Sequence, residues 1–261
     1  MLTQQVGLNG SIKKSMKVIY RVSDSGYNKV KPSYIDNDKC LNNFTSIFDD
    51  VQIIADNCCD ETLLMIRKHV LKKQITEVSI GSGAGTFNLA LDIALKYDDD
   101  EIVYFVENDY LHLRGSDRIL KEAFTLGASF ATLYDHPDKY LSPDKGGNPY
   151  CQGGAEDTRV YLTKSCHWKL TNSTTMTFAA KVSTLKRVEP ILRKHTSESY
   201  PKDFDMFMEL RNQNELLVSS IPAYSTHGET AWLAPLVDWS IVSAVVNPQK
   251  YFPYVYKNVE K

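Results

Sequence analysis

No apolar run in this chain approaches the roughly 18 residues that a membrane-crossing helix needs, so no membrane span is expected. Met1 to Met16 is polar and carries neither the apolar stretch nor the small-residue cleavage site of a signal peptide. A soluble, cytoplasmic protein is the expectation. Excess charge of one sign is missing too: 30 Lys and Arg face 32 Asp and Glu, for a formal net charge of -2 and a pI near 6.3. No global field therefore draws the protein to nucleic acid or anionic lipid. The five cysteines, Cys40, Cys58, Cys59, Cys151 and Cys166, are odd in number and contain no CxxC pair. That excludes a paired-cysteine zinc site and argues for reduced thiols. Repeats and low-complexity tracts are absent.

What remains is a chain of 261 residues, 43% hydrophobic and 24% charged, able to bury a core as one large or two small domains. Its first half alternates short β-rich runs with helical stretches. Strands are predicted over 17–22, 51–55, 75–80 and 102–106, and helices over 38–48, 60–71 (with Asp60 as N-cap) and 86–97. Such alternation implies a parallel sheet with helices on both faces, whose ligands sit beyond the carboxyl ends of the strands. The second half loses the alternation. Tyr140 to Gly154 reads as a long loop with the glycine content of a lid. Strands are predicted over 159–163 and 174–179, helices over 182–194 and 203–211, and a last strand over 217–221. Pro235 to Lys261 is expected to wrap the surface. The expected organisation is one α/β domain, with a nucleotide-binding half at about 17–112 and an acceptor-binding half at about 113–261.

Polar groups gather where these strands end. Arg21, Ser23 and Asp24 follow the first, Asp56 and Asn57 the second, Gly81-Ser82-Gly83-Ala84-Gly85 the third, and Glu107-Asn108-Asp109 the fourth. Singly, each is what a turn or helix cap requires. Together, on one edge of a sheet, they describe a nucleotide crevice. The acidic pair carries the most chemistry. Two carboxylates spaced i, i+2 after a buried strand can converge on one hard cation, Mg²⁺ or Mn²⁺, which in turn grips a diphosphate.

The segment Val103-Tyr104-Phe105-Val106-Glu107-Asn108-Asp109-Tyr110 resembles the DXD-type segment of GT-A glycosyltransferases. The likeness is greatest to a family-2-like group of bacteria and large DNA viruses. Tyr20-Arg21-Val22-Ser23-Asp24 is similar to that group's opening, and Ser225-Thr226-His227, Leu233-Ala234-Pro235 and Asp238-Trp239 to its later segments. The one departure is Glu107, where the stricter motif has Asp. The resemblance implies a GT-A fold, a Rossmann-like mixed sheet flanked by helices, and transfer of a sugar from a nucleotide diphosphate donor, UDP-linked, to a glycan or other hydroxyl acceptor. It implies that Asp109 ligates Mn²⁺ or Mg²⁺, that Glu107 assists or bonds ribose, and that His227 is a further metal or diphosphate ligand. Arg21, Ser23, Asp24, Asp56, Gly81, Ser82 and Asn108 are expected around the nucleotide.

An inverting transfer also needs a base for the acceptor hydroxyl. Asp203, at a predicted helix start, is the candidate, with Asp205 as alternate. Trp168 is read either as a sugar-stacking face or as core. The competing function is an S-adenosylmethionine-dependent methyltransferase using the Gly81–Gly85 loop, with Asn148-Pro149-Tyr150 as its second motif. Two strand–helix units precede that loop, however, and the 107 − 81 = 26 residues from Gly81 to Glu107 exceed the roughly 20 of a dinucleotide-type fingerprint.

Overall fold

The computed structural model describes residues 16–25 and 29–244. The polar N-terminal stretch and most of the expected surface wrap, beyond Ala244, lie outside the described residues. In chain order the elements are β1 (Lys17–Ser23), α1 (Asn37–Thr45), β2 (Val51–Asp56), α2 (Asp60–Ile66), β3 (Ile75–Val78), α3 (Gly83–Ala94), β4 (Ile102–Glu107), β5 (Tyr110–His112), α4 (Ser116–Ala123) and β6 (Phe130–Thr132). They continue with β7 (Val160–Leu162), β8 (His167–Thr171), β9 (Phe178–Lys181), α5 (Val182–His195), α6 (Asp203–Asn212), β10 (Leu217–Ile221), β11 (Ser225–His227) and α7 (Trp239–Ala244).

Among the described residues, nine strands form one mixed sheet in the order β3-β2-β1-β4-β9-β6-β10-β8-β7. The first four are mutually parallel, as the alternation predicts. Beyond β4, strand β9 runs antiparallel to both β4 and β6, while β10 is parallel to β6 and antiparallel to β8. The expected fold class, a Rossmann-like mixed α/β sheet flanked by helices, is the one found.

Period-two alternation divides the core into two layers. Val18, Tyr20 and Val22 of β1 and Tyr104 and Val106 of β4 face a layer covered by Leu41 and Phe44 of α1, Ile119 and Leu120 of α4, and Trp239 of α7. Ile19, Ile54, Val103 and Phe105 face the other layer, with Phe87 and Leu91 of α3, Leu185 and Leu192 of α5, and Phe207 and Leu210 of α6. Both layers are apolar because both sheet faces carry helices.

Several boundaries shift for identifiable reasons. Strand β3 stops at Val78 because the Ile80 and Gly81 amides turn to the Asp56 carboxylate. Helix α3 starts three residues earlier than predicted because Ser82 caps it, accepting from the Gly85 amide. Helix α2 ends at Ile66, where the Lys68 and His69 amides bond three residues back and tighten the last turn. Its N-cap is Cys59 rather than Asp60, and Asp24 braces this end, accepting from the Cys59 amide at 2.8 Å and the Thr62 hydroxyl at 2.9 Å. The strand predicted over 174–179 lies later, at β9. Strands β5, β6, β8 and β11 are too short or too polar to show a period.

Phe44 anchors the first layer. Its ring stacks on Phe48 at 4.5 Å, lies 4.9 Å from Tyr20 and meets His112 edge-on at 5.1 Å. Phe44→Ala should therefore cost about 3–5 kcal/mol, read as a lower urea midpoint at unchanged slope. A loss under about 1 kcal/mol would mean that this cluster is not a close-packed core.

Candidate active site

Strands β2 and β3 lie on one side of β1 and β4 on the other, so the chain reverses its order between β1 and β4. A crevice opens beyond the carboxyl ends at such a point. Here a cavity of about 260 Å³ is lined by residues that include Arg21, Ser23, Asp56, Gly81, Ser82, Glu107 and Asn108. Those seven were expected around the nucleotide from the sequence. The cavity wall also includes Lys29, Ser199, Tyr200 and Pro201, which the sequence reading missed.

Arg21 forms the cavity floor. Pairing of β1 with β4 sets it opposite Glu107, and its guanidinium donates to Glu107 Oε1 at 3.2 Å, to the Gly83 carbonyl at 3.0 Å and to the Met176 carbonyl at 3.2 Å. Asp56 is buried, and its two oxygens accept from the Ile80 and Gly81 amides, holding Gly81 in its positive-φ turn. Asn108 donates to the Asn37 side chain at 3.0 Å. Asp24, engaged by the Cys59 amide and the Thr62 hydroxyl, is not among the lining residues.

The acidic pair and the late histidine do converge. A separate two-stranded ladder pairs β5 with β11, placing His227 opposite Tyr110 and therefore beside Asp109. Donor atoms of Glu107, Asp109 and His227 lie within 4.8 Å of one another. Gly228 permits this approach, since a Cβ there would lie 2.7 Å from the Asp109 carbonyl oxygen and 2.8 Å from the Ile35 side chain. The set suits a hard divalent ion: it offers two carboxylates and an imidazole, and Asp109 Oδ1 is buried without a hydrogen-bond partner.

Lysines crowd the same carboxylate. Lys29 Nζ lies 2.8 Å from Asp109 Oδ2 and 2.9 Å from His227 Nε2, and Lys31 Nζ lies 3.8 Å from Asp109 Oδ2. Because an ammonium only donates, the His227 nitrogen facing it accepts and the ring proton belongs on Nδ1. Burial by itself would raise the Asp109 carboxyl. The charges of Lys29 and Lys31 outweigh it and hold the group well below the usual carboxylate range.

Asp203 opens α6. The helix N-terminus should lower its pKa, yet the group is pushed up to about 7. Desolvation is the largest cause, and Glu107 adds repulsion, while the Phe204 and Asp203 amides and Lys139 pull the other way. Desolvation by the fold itself produces this rise. Asp205, two residues on, is exposed.

Two expectations need correction. Trp168 has no exposed face to offer a sugar: it is fully buried in β8, with its indole N–H on the Thr163 hydroxyl at 3.2 Å. The methyltransferase motifs are also occupied. The glycine loop follows the edge strand β3, its Gly85 amide bonds Ser82 and its Ala84 amide the Ser199 carbonyl. Asn148 is buried in a reciprocal amide pair with Asn172.

No protein-family model matches the chain, and no curated protein matches it in sequence. Solved structures similar to it include a CMP:2-keto-3-deoxy-manno-octonic acid synthetase complexed with CTP, at 12% identity and a TM-score of 0.46 over 84% of this chain and 95% of that one. S. aureus TarS (residues 1–349) matches at 16% identity and a TM-score of 0.48 over 81% of this chain and 60% of that one. Mouse xyloside xylosyltransferase 1, in its apo form, matches at 10% and 0.41 over 77% and 83%. At such identities the likeness is one of overall fold and does not extend to substrate or reaction. Among the described residues, no helix is long and apolar enough to cross a membrane.

Gly228→Ala should separate β11 from β5 and disperse the cluster, lowering divalent-cation affinity by tenfold or more, on the order of 1.4 kcal/mol, in a calorimetric titration. Unchanged affinity would show that the close approach does not build the site. Asp203 predicts a linkage with the opposite sign to most carboxylates. Its folded pKa of about 7 lies above the ordinary 3.8, so its contribution is fully present below about pH 4 and is lost as pH rises through 7. Asp203→Asn, which keeps the neutral form, should therefore be more stable than wild type at pH 8. After solvent screening the gain is on the order of 1 kcal/mol, a Tm rise of about 2–4 °C, and it should shrink towards pH 4. A variant less stable than wild type at pH 8 would contradict the strained carboxylate.

Proposed function

We propose that this chain is a GT-A glycosyltransferase that moves a sugar from a nucleoside diphosphate donor, UDP-linked, to a hydroxyl of a glycan or similar acceptor. The reading rests on one observation above the rest: Glu107, Asp109 and His227 converge beside a cavity at the point where the strand order reverses. In this reading one domain does both tasks, with the nucleotide held over β1 to β4 and the acceptor approaching from the side of α6.

Asp109, His227 and Glu107 would hold Mn²⁺ or Mg²⁺, which when bound neutralises charge on the leaving diphosphate. Ser23, Gly81 and Ser82 flank the nucleoside. Asp56 supports the nucleoside-side wall through the Gly81 turn. Asp203 takes the proton of the acceptor hydroxyl. The hydroxyl oxygen then attacks the anomeric carbon from the face opposite the diphosphate, the bond from that carbon to the phosphate oxygen breaks, and its electron pair leaves with the nucleoside diphosphate. The configuration inverts. A carboxylate near pKa 7 suits this work, because half of it is free base at neutral pH and its proton affinity is greater than that of an ordinary aspartate.

The test is a nucleotide-sugar screen with Mn²⁺, reading nucleoside diphosphate release by wild type. UDP with Mn²⁺ should raise the melting temperature, whereas S-adenosylhomocysteine should not. Saturation at 100 times Kd is worth about 2.7 kcal/mol. Asp109→Ala or excess EDTA should abolish turnover. With an acceptor in hand, kcat/KM should rise with pH to a plateau above about 7, because the base must be deprotonated. Asp203→Asn should bind donor normally and lose transfer by roughly 10²–10⁴-fold. Stabilisation by S-adenosylhomocysteine alone would defeat the reading, and a product with retained configuration would defeat the mechanism. Near-normal transfer by Asp203→Asn with Asp205→Asn inactive would move the base two residues along.

A further inference from the structure

Lys29 has no role in the function just described, yet it makes the closest contacts in the cluster. Its ammonium reaches Asp109 Oδ2 at 2.8 Å and His227 Nε2 at 2.9 Å. These two atoms belong to residues whose donor set suits a divalent ion. Both residues are buried, at 3% and 4% exposure, so water cannot stand in for a lost partner. Lys29 also lines the cavity itself. The neighbouring Lys31 stands farther off, 3.8 Å from the same carboxylate oxygen.

We infer that Lys29 is a built-in occupant of the cation position: its ammonium and a divalent ion compete for His227 Nε2 and the Asp109 carboxylate and exclude one another. The inference rests on reading Asp109 and His227 as cation ligands. The physical argument is simple. The single lone pair of His227 Nε2 cannot serve two cations at bonding distance, and two positive centres beside the Asp109 carboxylate would repel strongly in a buried setting. A metal ion entering the site must therefore turn the ammonium out. The displaced group remains on the cavity wall, where a diphosphate's oxygens would give it a new anionic partner. Metal and nucleoside diphosphate should then bind cooperatively, each removing part of the other's cost.

The experiment is a titration with Mn²⁺ alone, following loss of the free-ion electron paramagnetic resonance signal, on wild type, Lys29→Met, Lys31→Met and Asp109→Asn. Lys29→Met should bind Mn²⁺ at least tenfold tighter than wild type, and Lys31→Met less than about threefold tighter, since only the first removes a competing ligand. Asp109→Asn should lose the site. Repeating the titration with UDP should tighten Mn²⁺ binding more in wild type than in Lys29→Met. Equal or weaker binding by Lys29→Met would overturn the inference. So would equal gains in the two lysine variants, which would mark a through-space charge effect only. If neither wild type nor Lys29→Met binds Mn²⁺, the cation position itself is refuted. UDP binding in EDTA then reports separately on the nucleotide cavity.

Discussion

A single buried guanidinium holds the working edge of this protein together. Arg21 is 5% exposed, and a cation so far from water must find acceptors within the fold. It finds them on two other elements and a connecting segment: the Gly83 carbonyl at the start of α3, Glu107 at the end of β4, and the Met176 carbonyl before β9. The Phe87 ring adds a face 5.7 Å from the guanidinium carbon. Because these partners come from distant parts of the chain, meeting the needs of one charge also fixes the cavity floor and orients Glu107.

The same electrostatic economy extends across the mouth of the cavity. Arg21 faces Glu107, and Lys29 with Lys31 faces Asp109. Charges of opposite sign are thus matched before any ligand arrives, which keeps a strongly acidic cluster compatible with a folded state. The cost of the arrangement is that an incoming anion or cation must compete with internal pairs.

Behind the site, the second half supplies rigidity. Lys169 of β8 is buried between Asp135 and Glu156 at 2.8 and 3.2 Å, and Glu156 in turn accepts from Thr171 and the Asn172 amide. The long loop over 140–154 is thereby tied to the sheet through the Asn148–Asn172 pair. Asp203, at the start of α6, lies in a setting that disfavours its charge.

Much of the architecture was legible from local pattern. Alternation along β1, β2 and β4 determined which residues face each core layer, and the strand–helix rhythm determined four parallel strands with polar groups at their carboxyl ends, including Arg21, Asp56 and Glu107. These features depend on neighbours within a few residues, which is the range over which periodicity carries information. What tertiary structure alone decided lies at longer range. Strands β5 and β11 have three residues each, too few for a period, and pair across more than a hundred positions. That pairing, not spacing along the chain, brings His227 to Asp109. Lys29 entered the cluster without a sequence signal, because a lysine in a polar stretch looks like any solvated charge. Trp168 was ambiguous for the opposite reason: an aromatic side chain suits a sugar or a core equally, and burial alone chose the core. The pKa of Asp203 was decided in the same way. A helix start is written in the sequence, but the desolvation that overrides its dipole comes from chains of atoms folded over it.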